Sequence, residues 1–322
     1  MSRTFRTFAT TEPMSGSANH STNGGFWKGA KDGRSLTKPR NNGVFMPILT
    51  RVAMMESRNI SKFTAANKLT WEASARLHGE GRDWEALVAD AAKPNFSTLD
   101  ECISQTLKKL NISGRSAVQI GCNNGRELLS LASFGALPML GIDQSPAFLA
   151  QGAHLSQLCG QSPRFLEADI YDLPSDVGRY DLVFITIGVL GWMPDLSRFF
   201  EVVAGLMNSD AKLVIYETHP FLEMFEPDSA KPFEPHYSYF DSSAHPHEGA
   251  ITYDGSEGGE APTGYWFSHT LGAIVTACTA AGLTIEILSE HAHSNREAEF
   301  DIYQGQKSQM PLSFTLIAAS YQ

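Results

Sequence analysis

Five short segments of this chain carry residue types able to act on a nucleoside-like ligand. The first is Gly121-Cys122-Asn123-Asn124-Gly125, directly after the apolar run Ser116–Ile120. Gly121 lets the backbone approach a ligand closely, and Gly125 and Asn123 tolerate left-handed backbone. The second is Gly141-Ile142-Asp143, whose carboxylate stands 22 residues after Gly121. A carboxylate about 20 residues beyond a glycine turn suits paired hydrogen bonds from ribose hydroxyls. The third is Glu167-Ala168-Asp169-Ile170, where Asp169 can accept from an adenine amino group with Ile170 against the ring. The fourth, Ile187 to Pro194, contains Trp192, a candidate pocket wall. The fifth is Tyr216-Glu217-Thr218-His219-Pro220. Where a nucleophile must lose a proton, Glu217 or His219 is the candidate base, and Tyr216 lies beside them.

Each segment also has a bland reading: a tight turn, a solvated loop carboxylate, a packed tryptophan, a structural histidine. Three turns of the right type in the right order favour the ligand-binding reading.

The surrounding elements must position these turns. Phe63, Leu69, Trp71, Ala73 and Leu77 suggest a helix from about Ser61 to His78. A short helix around Trp84 and a third from Leu99 to Leu110, capped at Ser97 or Thr98, follow. Residues 55–115 therefore read as a helical N-terminal cap. From Ser116 onward apolar strands and helices alternate, which implies a mostly parallel sheet covered on both faces. Residues 219–267 are too long for an ordinary connection and rich in aromatics. They read as a substrate lid, with Tyr237, Tyr239 and Trp266 as contact candidates. Ser268 and His269 are expected to open the next helix, with His269 at its N-terminus near a substrate carboxylate.

From Ala117 to Leu213 the chain resembles the class I S-adenosylmethionine-dependent methyltransferase superfamily. The resemblance rests on the glycine turn 121–125, Gly-Ile-Asp at 141–143, Ala-Asp-Ile at 168–170, and Tyr180-Asp181-Leu182-Val183. The terminal strand Leu312–Ser320 also fits. It implies a Rossmann-like α/β fold: a seven-stranded, mostly parallel sheet with an antiparallel last strand. Residues 116–322 would form this methyltransferase domain, with the lid at 219–267 inserted in it. It implies S-adenosyl-L-methionine as cofactor. Gly121, Asn123 and Gly125 would line its methionine part, Asp143 the ribose, and Asp169 and Ile170 the adenine. Two positions depart from the family pattern: Gln119 replaces an acid and Asn123 a glycine. Asparagine is well suited to positive φ, so the turn can survive. Two other readings compete: a non-catalytic binding protein that kept the fold, and a nicotinamide-dependent oxidoreductase, which would favour Gly-x-Gly-x-x-Gly.

Composition narrows the acceptor. The net charge is -10, and no Asn/Asp-Pro-Pro-aromatic motif follows strand four. Affinity for phosphate backbones comes from clustered Lys and Arg. The expected partner is therefore a small-molecule methyl acceptor, with no nucleic acid and no membrane. Whether O, N, S or C is methylated, and the oligomeric state, are left open. The pairs His245/His247 and His291/His293 each lack a third spaced ligand nearby, so no metal is expected. The four cysteines form no CxxC pair. Residues 1–54 hold eight basic and two acidic residues in a Ser-, Gly- and Asn-rich context. They read as a disordered tail of a cytoplasmic protein, or alternatively as a mitochondrial or plastid transit segment.

Overall fold

A computed structural model describes residues 48–252, 258–295 and 298–320. The N-terminal segment lies outside the described residues as far as residue 47. Three helices come first: α1 (Ile48–His78), α2 (Gly81–Ala91) and α3 (Glu101–Leu110). The α1 helix begins well before Ser61. The Thr64 hydroxyl donates to the Asp169 carboxylate at 2.5 Å and so ties α1 to a distant turn. The α3 cap is Asp100, whose Oδ1 accepts from Ile103 N at 3.1 Å. Thr98 N instead donates to Ser130 Oγ at 2.9 Å, which corrects the cap expected at Ser97 or Thr98. Such a cap contributes about 1 kcal/mol.

Alternating elements follow: β1 (Ser116–Ile120), α4 (Arg126–Ser130), β2 (Leu137–Asp143), α5 (Pro146–Leu158), β3 (Arg164–Glu167), β4 (Tyr180–Thr186), α6 (Leu196–Gly205) and β5 (Met207–Thr218). The chain then adds β6 (Ala244–His247), β7 (Gly264–Phe267), α7 (Leu271–Ala280), β8 (Thr284–His291) and β9 (Ser313–Ala319). Pro146 opens α5, where its missing N–H costs nothing, and Ser145 caps it. Asp195 and Thr270 cap α6 and α7 in the same way.

Seven strands form one sheet in the order β3-β2-β1-β4-β5-β9-β8. The first five are parallel, and β9 runs antiparallel to both β5 and β8. The fold is thus the Rossmann-like α/β arrangement expected, with the antiparallel last strand. Both faces are covered. Ile103 and Leu107 of α3 pack with Ala117, Leu182 and Val214 on one face. Phe199, Phe200 and Val203 of α6 pack with Ile120, Ile142, Ile185 and Ile215 on the other. Each fully buried aliphatic or aromatic side chain contributes about 1.5–3 kcal/mol. Residues 219–267 are not one irregular lid. They hold a 3-10 turn at Pro220–Met224 and a two-stranded antiparallel sheet, β6 with β7.

Candidate active site

Chain order reverses between β1 and β4, and in open α/β sheets ligands bind at that reversal, beyond the strands' carboxyl ends. A cavity of about 260 Å³ lies there. Its floor comes from Ile120 and Gly121, Ile142 and Asp143, and Thr186 and Ile187, which end β1, β2 and β4. The turn after β1 is left-handed at three residues: Gly121 (φ 62°), Asn123 (φ 52°) and Gly125 (φ 69°). A Cβ on Gly121 would sit 2.7 Å from Val189, so this position needs glycine for space as well as for φ. Asn123 adopts the left-handed conformation without glycine's freedom, and its Oδ1 accepts from Asn124 N at 2.7 Å.

Asp143 connects two turns. Its Oδ2 accepts from Asn123 N at 2.8 Å and its Oδ1 from Ser145 N at 2.9 Å. The carboxylate faces the cavity but is enclosed by protein, and this burial raises its pKa against the pull of the backbone N–H groups. A carboxylate offers about four acceptor sites, so capacity remains for ribose hydroxyls. Ile142, Ala168 and Ile170 supply an apolar slot for a flat ring. Glycine cradle, carboxylate and slot fit S-adenosylmethionine in succession. Asp169 does not line this cavity: its carboxylate accepts from Thr64 Oγ1 and from Tyr171 N at 3.0 Å. Gly125 is likewise absent from the lining, and a Cβ there would meet Phe165 at 2.7 Å.

At the other end the cavity is aromatic. Trp192 sits 5.4 Å from Trp71, 5.3 Å from Trp266 and 5.9 Å from His247, edge to face in each case. A Cβ on Gly191 would lie 2.0 Å from the Trp266 ring, so Gly191 permits this packing. Glu223 Oε2 accepts from Trp266 Nε1 at 3.1 Å and lines the cavity. Glu217, buried, accepts from Gly188 N at 2.6 Å and Leu190 N at 3.1 Å. It lines the cavity and holds the loop after β4 in place. His269 lines it too, with Nε2 2.8 Å from the Met193 carbonyl.

Several expected site residues stand elsewhere. Tyr216 is 1% exposed and points to the opposite sheet face, because successive strand residues alternate. Its hydroxyl donates to Asp100 Oδ2 at 2.9 Å, so it is no substrate contact. His219 is also outside the cavity lining, which corrects its reading as a base. Its Nδ1 accepts from Phe221 N at 3.1 Å, which leaves Nε2 to donate to Glu290 Oε1 at 2.8 Å. Tyr237 donates to Glu226, and the Tyr239 hydroxyl accepts from Leu271 N, so neither reaches the cavity. His269 precedes the Thr270 cap, and its ring is turned to Met193, not to the helix N-terminus.

Asn67, Lys68 and Trp71, all from α1, also line the cavity. Asn67 donates to the carbonyls of Trp192 (3.3 Å) and Tyr265 (3.1 Å) and accepts from Tyr265 N at 2.6 Å. It joins the loop after β4 to β7. Nothing in its local spacing marks that role; Trp71 looks like an ordinary helix-face aromatic.

Burial holds the His219 and His269 imidazoles below their ordinary pKa of 6.5, against the opposing pull of Glu290 and of the Met193 carbonyl. As pH falls below that value the unfolded chain binds more protons than the folded one, so stability declines through this window. Thermal unfolding across the window is expected to show a falling midpoint. A His219→Gln, His269→Gln double variant should flatten the slope, and a slope unchanged in that variant would contradict the assignment.

Comparison with known proteins agrees with this geometry. A family model described as "Methyltransferase domain" matches residues 118–215. The tRNA U34 carboxymethyltransferase of Aeromonas salmonicida is 31% identical over 106 residues, 32% of this chain and 32% of that protein. The tRNA U34 carboxymethyltransferase of Marinobacter nauticus is 32% identical over 81 residues, 25% of this chain and 24% of that protein. The matched segments thus span about a third or less of these relatives' length. A crystal structure of a Listeria monocytogenes protein, assigned as an S-adenosylmethionine-dependent methyltransferase, shares the fold. It gives a TM-score of 0.50 at 17% identity, over 68% of this chain and 97% of that one. The relatives' named substrate is tRNA, which overturns the expectation of a small-molecule acceptor and no nucleic acid. Net charge is a sum over the whole chain and does not exclude local recognition of a nucleic acid. Residues 118–215 thus match a methyltransferase-domain family, and the chain shares its fold with the Listeria protein.

Proposed function

We propose that the protein transfers the methyl group of S-adenosylmethionine to a base of a tRNA. The observation that carries the reading is the cavity itself: a cofactor cradle at one end and an indole wall at the other. The cofactor supplies an electrophilic carbon on its sulfonium. Gly121, Asn123 and Asp143 would hold its amino-acid and ribose parts, and Ile142, Ala168 and Ile170 its ring. Trp192 and Trp266 are suited to stack a flat base, which single-stranded recognition of RNA requires. Asn67 fixes both tryptophan-bearing segments. In-line displacement then needs alignment and exclusion of water more than it needs a base. The tRNA assignment follows the acceptor in the relatives' names, which give carboxymethyl as the group those proteins transfer.

The test uses methyl-labelled S-adenosylmethionine with the full chain and bulk tRNA from a strain lacking the gene. Label in tRNA, reduced on the order of 10²-fold by Trp192→Ala, is the expected result; stacking is worth about 1–3 kcal/mol per base. Cofactor binding with no label in any tRNA would overturn the acceptor while leaving the cofactor in place.

A further inference from the structure

Away from the cofactor cavity, three metal-binding side chains converge. Cys102 lies in the first turn of α3, His291 ends β8, and His293 follows two residues later. Cys102 Sγ is 3.6 Å from His291 Nε2. The imidazoles of His291 and His293 stack 5.0 Å apart at 17°. One donor atom from each of the three residues falls within 4.8 Å of the others. Tetrahedral zinc, with Zn–S of about 2.3 Å and Zn–N of about 2.0–2.1 Å, sets sulfur and nitrogen about 3.6 Å apart. The Cys102–His291 pair already has that spacing. His293 would move inward to complete the set; its Nδ1 lies 3.2 Å from the Ser294 carbonyl.

The surroundings favour a cation. Asp100 caps α3 beside Cys102, and its Oδ2 accepts from Tyr216. The Thr315 hydroxyl lies 2.9 Å from His291 Nε2, a group able to pass to metal-bound solvent. All three candidate ligands are half-buried, so an ion can enter from solvent. The cluster is separate from the cofactor site: Tyr216, whose ring is 6.3 Å from that of His291, points to the face opposite Glu217.

We propose that Cys102, His291 and His293 form a site for a divalent cation of the zinc class, with solvent in the fourth position. On binding, the Cys102 thiol releases its proton to water as the metal–sulfur bond forms. The bound ion ties the N-terminus of α3 to the end of β8, across 189 residues of chain.

The test titrates the tag-free, chelator-treated full chain with cobalt(II) and then zinc(II). A thiolate-to-cobalt charge-transfer absorption, intense visible bands of a four-coordinate ion, and displacement by one equivalent of zinc are expected. Cys102→Ser should abolish the charge-transfer absorption. His293→Ala, on a half-exposed bend, should keep it while weakening zinc affinity on the order of 10²-fold, at least the loss seen for outer-shell partners. S-adenosylmethionine affinity should be unchanged in both variants. No charge-transfer absorption in the wild type, or zinc affinity unaltered in His293→Ala, would overturn the site.

Discussion

Asp143→Ala is expected to lose S-adenosylmethionine affinity by roughly 10²–10⁴-fold. Two ribose hydroxyls would donate to this carboxylate, and a hydrogen bond to a charged group contributes about 1.5–3 kcal/mol. At about 1.4 kcal/mol per tenfold, two such bonds give that range. The substitution also strips acceptors from Asn123 N and Ser145 N, which bond the carboxylate at 2.8 and 2.9 Å. The turn after β1 and the cap of α5 should therefore loosen together. Asp143→Asn separates the two effects. Its amide keeps one acceptor oxygen but points a donor at one of the two backbone N–H groups, so it should bind with intermediate affinity. Calorimetry with S-adenosylmethionine on both variants measures this. An alanine variant that binds like the wild type would remove Asp143 from the cofactor site.

Glu217→Ala is the second large effect. Glu217 is 4% exposed, and its two oxygens hold the N–H groups of Gly188 and Leu190. Removing it leaves the buried Leu190 N and the partly buried Gly188 N unpaired, at a cost of about 2–5 kcal/mol. For a unit of this size that corresponds to a fall in melting temperature on the order of 10 °C. The loop from Ile187 to Trp192 would lose its anchor, and turnover should fall further than cofactor affinity. Glu217→Gln keeps one acceptor and should recover part of the stability. Had Glu217 served as a base and not as an anchor, the glutamine variant would be as stable as wild type yet inactive. Differential scanning and single-turnover rates on both variants distinguish these outcomes.

The sequence by itself determined the α/β class, the mostly parallel sheet with its antiparallel last strand, and the turn residues Gly121, Asn123 and Asp143 that line the cavity. Those signals are local. An apolar run reads as a buried strand, and Gly121 and Gly125 mark a turn because the left-handed region excludes most side chains. Asp143 falls at a strand end at a spacing that one βα unit fixes. Even Asn123 was legible as a glycine substitute, since its tolerance of positive φ is intrinsic.

Only the tertiary structure decided which neighbouring residues reach the cavity. Tyr216 and Glu217 are adjacent in sequence, yet strand alternation sends one to α3 and the other to the site. His219 was attractive at the sheet edge, but Phe221 N and Glu290 occupy its ring nitrogens. Asp169, expected at the adenine, is held by Thr64 from 105 residues upstream. The indole wall combines Trp71, Trp192 and Trp266 from three separate segments, and Cys102 meets His291 across most of the domain. Contacts between distant segments leave no spacing signature in the chain. They arise when helices and strands pack to bury apolar surface, and that packing sets which polar and aromatic groups converge.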